Sequence, residues 1–145
     1  GLEANLKSGA HLTPQDYLIL IAEDNANNII MLGEYLGFKG YNLAFAKDGY
    51  EAVELARKNK PSLILMDIHM PRMDGLEATK RLRAEPEMSD VPIVALTALA
   101  VQGDRERCYQ AGVNEYVTKP VDLESLAVTI SGILVRQVGA GDSVD

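Results

Sequence analysis

LILMDIHMPRMDG, residues 63–75, sets an apolar run against a single carboxylate. Leu63 to Met66 has the length and composition of a buried strand, and it delivers Asp67 directly into a turn marked by Pro71 and Gly75. A charge at that place calls for a chemical use. Working outward, four more short apolar or β-rich runs are found at Tyr17–Ala22, Tyr41–Ala46, Pro92–Leu96 and Glu115–Val117. Each of the first four strands in chain order is followed by a segment with helical spacing.

The helices are placed by their apolar stripes and stops. Ile29, Leu32 and Leu36 share a face, and Gly37 stands where a left-handed cap would end the helix. Tyr50, Val53 and Ala56 mark a second helix ending before Pro61, and Leu76, Thr79 and Leu82 a third ending before Pro86. A polar helix is expected from about Val101 through DRERCYQA to Gly112. Leu123, Leu126, Ala127, Ile130 and Leu134 form the last stripe, behind Asp122 as N-cap. Strands too apolar to alternate, interleaved with five helices, predict an α/β fold: a doubly wound parallel sheet covered on both faces. Residues 1–16 read as an N-terminal linker or tether, 17–137 as the domain, and 138–145 as a C-terminal tail.

The chain has 145 residues, 47% of them hydrophobic and 24% charged, which suits one domain with a sizeable core. A formal net charge of −7 repels phosphate backbones and anionic membrane surfaces, so nucleic acid and membrane contact are not expected. No apolar stretch approaches the roughly 18 to 20 residues that span a bilayer, and no charged-then-apolar signal opens the chain, which reads as cytoplasmic. Cys108 is alone and sits in a polar helical segment, where it reads as a spectator thiol.

In a doubly wound sheet ligands bind at the carboxyl ends of the strands. The polar residues just past strands 1, 3, 4 and 5 are Glu23 and Asp24, Asp67, Thr97 and Lys119, so they are expected to converge. Three carboxylates at close range repel one another unless a cation neutralises them, and an all-oxygen set suits Mg²⁺ or Mn²⁺ rather than zinc. Asp24 and Asp67 are the candidate ligands, with Glu23 binding directly or through water. Lys119 adds a fixed positive charge and Thr97 a hydroxyl. These are the parts that hold a phosphoryl group in line with a carboxylate nucleophile.

With the acidic pair at Glu23–Asp24, MDIHMPRMDG around Asp67, Thr97–Ala98 and YVTKP at Tyr116–Pro120, the chain resembles the receiver domains of two-component response regulators over about residues 16–137. AEDNANN and GDRERCYQAG further resemble receivers of hybrid sensor histidine kinases. The resemblance implies a flavodoxin-like, five-stranded sheet of order 2-1-3-4-5. It implies Asp67 as phosphoacceptor for a histidine kinase or phosphotransfer protein, and Glu23 and Asp24 as organisers of Mg²⁺, with the peptide carbonyl of His69 completing the metal site. Thr97 and Ala98 would contact the bound phosphoryl group, Lys119 would pair with it, and Tyr116 would be the aromatic switch. A cis Lys119–Pro120 bond is also implied. The output surface would be helix 4, strand 5 and helix 5, a route by which a homodimer could also form. Such a chain is either a stand-alone receiver or a segment of a hybrid histidine kinase or other regulator, a phosphoacceptor rather than an enzyme.

Each residue alone has a blander reading. Asp67 could be a turn aspartate, the acidic pair a helix start favoured by its dipole, Lys119 a solvated charge and Tyr116 a core tyrosine; their company and order carry the sharper one. The His69 side chain and Leu99 would tune water access, His11 would be idle, and Lys80, Arg81 and Arg83 would form a solvated helix end. The alternative is a Mg²⁺-dependent phosphohydrolase of the haloacid dehalogenase type, which wants a second Asp two residues after the first, where His69 stands here. A flavin or nucleotide binder is disfavoured because no Gly-rich phosphate loop follows any strand.

Overall fold

The computed structural model describes residues 13–98 and 103–144. Its strands are β1 (Leu18–Ala22), β2 (Asn42–Ala46), β3 (Leu63–Asp67), β4 (Ile93–Thr97) and β5 (Glu115–Thr118). Its helices are α1 (Ala26–Phe38), α2 (Gly49–Asn59), α3 (Gly75–Arg83), α4 (Asp104–Ala111) and α5 (Leu123–Val144). All strand pairs are parallel and their order is β2-β1-β3-β4-β5. Residues 64–67 of β3 pair with 93–96 of β4, which brings Asp67 opposite Leu96 and leaves Thr97 one step further out.

β3 and β4 are buried throughout and β1 is buried from Ile19 onward, as a parallel sheet sandwiched between helices requires. Alternate strand residues feed two separate cores. Ile19, Ile21, Leu63, Leu65, Val94 and Leu96 pack beneath α1 and α5, while Leu20, Ala22, Ile64, Met66, Ile93 and Ala95 pack beneath α2, α3 and α4. Three helices start on a side-chain cap that accepts the amide three residues on: Asn25 from Asn28 at 3.1 Å, Asp48 from Glu51 at 2.8 Å and Asp74 from Glu77 at 2.8 Å. Asp122 likewise accepts the Ser125 amide at the head of α5.

Several boundaries differ from the sequence-based expectations. Gly37 does not end α1; the helix runs on to Phe38, and Gly40, at φ 102°, makes the left-handed turn into β2. A glycine inside a helix costs only about 1 kcal/mol relative to alanine, so Gly37 does not force a stop. Pro92 precedes β4 rather than opening it, yet its carbonyl accepts the Ile64 amide at 2.9 Å. The end of the expected tether, Pro14–Asp16, is a 3-10 turn tied to β2 by the Asn42 side chain on the Gln15 carbonyl. The expected tail is helical as far as Val144, since no proline interrupts the backbone ladder of α5. The beginning of α4 near Val101, Leu99 and His11 lie outside the described residues. Among the described residues no helix is long and apolar enough to cross a membrane.

Candidate functional site: a carboxylate cluster at the sheet edge

Asp67 is the last residue of β3 and is only 3% exposed. The chain around it is pinned on both sides. The Ile68 amide donates to the Leu96 carbonyl at 3.0 Å, the Gly75 amide to the Ile68 carbonyl at 3.3 Å, and the His69 amide to Asp67 Oδ1 at 3.0 Å. α3 begins so close behind that a Cβ at position 75 would lie 2.2 Å from the Asp67 carbonyl oxygen. Only glycine lets helix and strand meet there.

Glu23 follows β1 and is fully buried; its amide donates to the Ala46 carbonyl at 2.9 Å. The carboxylate is oriented from the head of α1, where Asn28 Nδ2 donates to Oε1 at 3.0 Å and the Asn25 amide donates to the same oxygen at 3.3 Å. Asp24, beside it, is exposed. Lys119, the residue just after β5, closes the group: its amide donates to the Thr97 carbonyl at 2.7 Å, and its ammonium donates to Asp67 Oδ2 at 3.0 Å and to Glu23 Oε2 at 3.1 Å. The Lys119–Pro120 bond is cis. A cleft of about 570 Å³ opens over these groups, lined by Glu23, Asp24, Asp67, His69, Ala98 and Lys119 among others.

The electrostatics follow from this packing. Burial pushes the Glu23 carboxyl up, and the neighbouring Asp67 charge adds to the push, while hydrogen bonds from Asn28 and Lys119 oppose it. For Lys119 burial works to lower the ammonium, but hydrogen bonds and charge from Asp67 and Glu23 prevail and hold it above its ordinary range. One oxygen from each of Glu23, Asp24 and Asp67 lies within 4.8 Å of the others. With Lys119 as the neighbouring ammonium, three ionised carboxylates leave an excess of two negative charges, matched by a divalent cation. The all-oxygen set, with two buried carboxylates and one at the solvent edge, fits a hard ion such as Mg²⁺ that keeps part of its water.

The structure therefore brings together Glu23, Asp24, Asp67, His69, Ala98 and Lys119. Thr97 stands at the same strand end but is fully buried, and Ala98 rather than Thr97 is among the residues lining the cleft. Tyr116 is half-buried on β5, packed against the core beneath α2, α3 and α4 and away from the cleft. Asn28 is the residue that reading along the sequence misses; its signal is its place one helical turn beyond the Asn25 cap. Cys108 is buried, in keeping with a spectator role.

Comparison with known proteins agrees with this geometry. Residues 19–131 match the sequence profile of the response regulator receiver domain. The polar-differentiation response regulator DivK of Brucella anthropi is 39% identical over 116 residues, 80% of this chain and 94% of that protein. Among solved structures, the receiver domain of sensor histidine kinase PA1611 from Pseudomonas aeruginosa PAO1 superposes with a TM-score of 0.74 at 41% identity, covering 85% of this chain and 98% of that one. That structure holds a magnesium ion in its active site cleft. The chemotaxis protein CheY4 of Vibrio cholerae superposes with a TM-score of 0.75 at 28% identity, covering 79% and 96%. None of this supports the phosphohydrolase reading. A parallel 2-1-3-4-5 sheet, an acidic cluster at its carboxyl edge and these relatives lead to one conclusion: the chain belongs to the receiver domains of two-component response regulators, the phosphoacceptor modules of that signalling system.

Proposed function

We propose that Asp67 is the phosphoacceptor of this receiver. The observation that carries the reading is the ammonium of Lys119 at 3.0 Å from Asp67 Oδ2, beside a cluster of three carboxylates. A carboxylate oxygen of Asp67 attacks the phosphorus of a phosphohistidine on a histidine kinase or phosphotransfer protein. The new O–P bond forms as the N–P bond breaks, and the leaving imidazole keeps the electron pair. Glu23, Asp24, Asp67 and the His69 carbonyl would hold Mg²⁺ or Mn²⁺, which supplies charge neutralisation for the transferring phosphoryl oxygens. Lys119 passes from pairing with the carboxylate to pairing with the phosphoryl group, and Thr97 and Ala98 bound the space it enters.

The acyl phosphate replaces the single charge of the Asp67 carboxylate with about −1.5 to −2 carried on the phosphoryl oxygens, further out from the strand edge, and this biases a switch in which Thr97 and Tyr116 move together and the α4–β5–α5 surface changes. Water attacking the same phosphorus ends the signal, with the His69 side chain and Leu99 tuning its access. Residues 17–137 act as the receiver unit, in the cytoplasm, without nucleic acid or membrane as partner. The α4–β5–α5 surface also serves any homodimer.

The test is incubation with Mg²⁺ and acetyl phosphate, read by intact-protein mass. The reading predicts one phosphoryl group per chain, absent without the metal and absent in Asp67→Asn. Sustained release of phosphate from simple esters, with no retained label, would contradict it and favour a hydrolase.

A further inference from the structure

The loop between Asp67 and α3, residues 68–74, is fastened at a second place that the phosphoacceptor reading does not use. Arg72 Nε donates to Asp48 Oδ2 at 2.5 Å, and the Gly49 amide donates to the Met73 carbonyl at 2.8 Å. The two backbones press together there: a Cβ on residue 49 would stand 2.5 Å from the Met73 carbonyl oxygen. Asp48 is only 4% exposed and also caps α2. The Glu51 amide, followed by Arg72, holds its carboxyl below the ordinary carboxylate range.

Two features set this contact apart from ordinary packing. Arg72 has φ 65°, a left-handed conformation that a non-glycine residue keeps only where its surroundings impose it. Its side chain is 61% exposed, so core burial is not what holds it there. The loop that carries Asp48 begins just after Ala46, whose carbonyl accepts the Glu23 amide at 2.9 Å. The pair thus ties the segment carrying Asp67 and His69 to the segment that positions Glu23.

We propose that Asp48 and Arg72 form a strap that holds the 68–74 loop in register, making both positioning residues for phosphoryl acceptance at Asp67. The strap acts through the His69 backbone, whose amide sits on Asp67 Oδ1 at 3.0 Å. The inference rests on the phosphoacceptor reading above and deepens it.

Arg72→Gly is the informative substitution, because glycine relaxes the left-handed backbone while the pair is lost, so the fold is retained as the strap is removed. Asp48→Asn keeps a capping oxygen and removes only the charge. The rate of labelling by acetyl phosphate with saturating Mg²⁺ is expected to fall about three- to tenfold in either variant, the scale of a small misplacement of reacting groups. The double variant should fall no further than the single ones, since the two side chains act as one unit. By NMR the His69 amide should exchange faster in both, while the thermal midpoint of Arg72→Gly stays near that of the wild type. Wild-type labelling rates in both single variants, or losses that multiply in the double variant, would overturn the strap alone. Failure of the wild-type chain to take any label would remove the phosphoacceptor reading and the strap with it.

Discussion

The two faces of the sheet are built from different materials. Beneath α1 and α5 the fully enclosed residues are all branched aliphatics, Ile19, Ile21, Leu32, Leu36, Leu63, Leu65, Val94, Leu96, Leu126, Ile130, Ile133 and Leu134, with Tyr17, Met31, Tyr35 and Tyr41 only at their margin. Beneath α2, α3 and α4 it is rich in small and flexible side chains, with Ala22, Ala46, Ala52, Ala56, Ala78 and Ala95 beside Met66, Met70, Met73 and Met88. Strand register makes the contrast sharp. One row across the sheet reads Ala46, Ala22, Met66, Ala95, Tyr116, and the row one residue earlier reads Phe45, Ile21, Leu65, Val94, Glu115. Branched side chains have few rotamers and pack stiffly, whereas methionine adapts its shape to its neighbours. Tyr116 belongs to the adaptable side, and so do both loops joined by the Arg72–Asp48 pair. One face gives β3 and Asp67 a stiff backing; the other carries the adaptable packing on which the proposed switch would draw.

Substitutions on the two faces should therefore separate stability from signalling. The largest effect is expected on the stiff face. Leu65→Ala removes a fully buried side chain from the centre of β3 and should cost about 2–5 kcal/mol of stability in denaturant unfolding, with the labelling rate per folded molecule unchanged. Its neighbour Met66 faces the other core, and Met66→Leu, a nearly volume-conserving change, should cost less than about 1.5 kcal/mol. If Met66→Leu proved as damaging as Leu65→Ala, the contrast between faces would fail.

The smallest effect concerns pH. The Asp48 carboxyl is lowered in the folded chain, so it adds stability above its unfolded value of about 4 and loses that contribution as pH falls through the folded value. The stability advantage of wild type over Asp48→Asn should be steady from neutral pH to about 5 and shrink below about 4. An advantage that grew on acidification would contradict the sign.

Much of this was legible along the chain, for identifiable reasons. Asp67 and Thr97 close runs too apolar to alternate, which between helical segments points to a parallel sheet covered on both faces, and in such a sheet strand ends share an edge. A shared edge is enough to bring Glu23, Asp24, Asp67 and Lys119 together. It does not say which atoms meet. Asn28 reaches Glu23 because one turn of α1 aims it back at the strand end, and Arg72 reaches Asp48 across 24 residues of sequence because Gly49 allows the backbones to touch. Thr97 proved more deeply buried than a residue past the strand end should be, because it is the last rung of β4 rather than the first of its loop. Gly40 rather than Gly37 makes the left-handed turn, after α1 has run on to Phe38.

The account stands on Asp67 being the nucleophile of a cluster that includes two other carboxylates within reach. Borohydride reduces an acyl phosphate to an alcohol, converting a phosphorylated aspartate to homoserine, and peptide mass spectrometry then locates the changed residue. After labelling with acetyl phosphate and Mg²⁺, the account predicts homoserine at position 67 alone and none when the metal is left out. Reduction at Glu23 or Asp24, or metal-independent modification of Asp67, would contradict it.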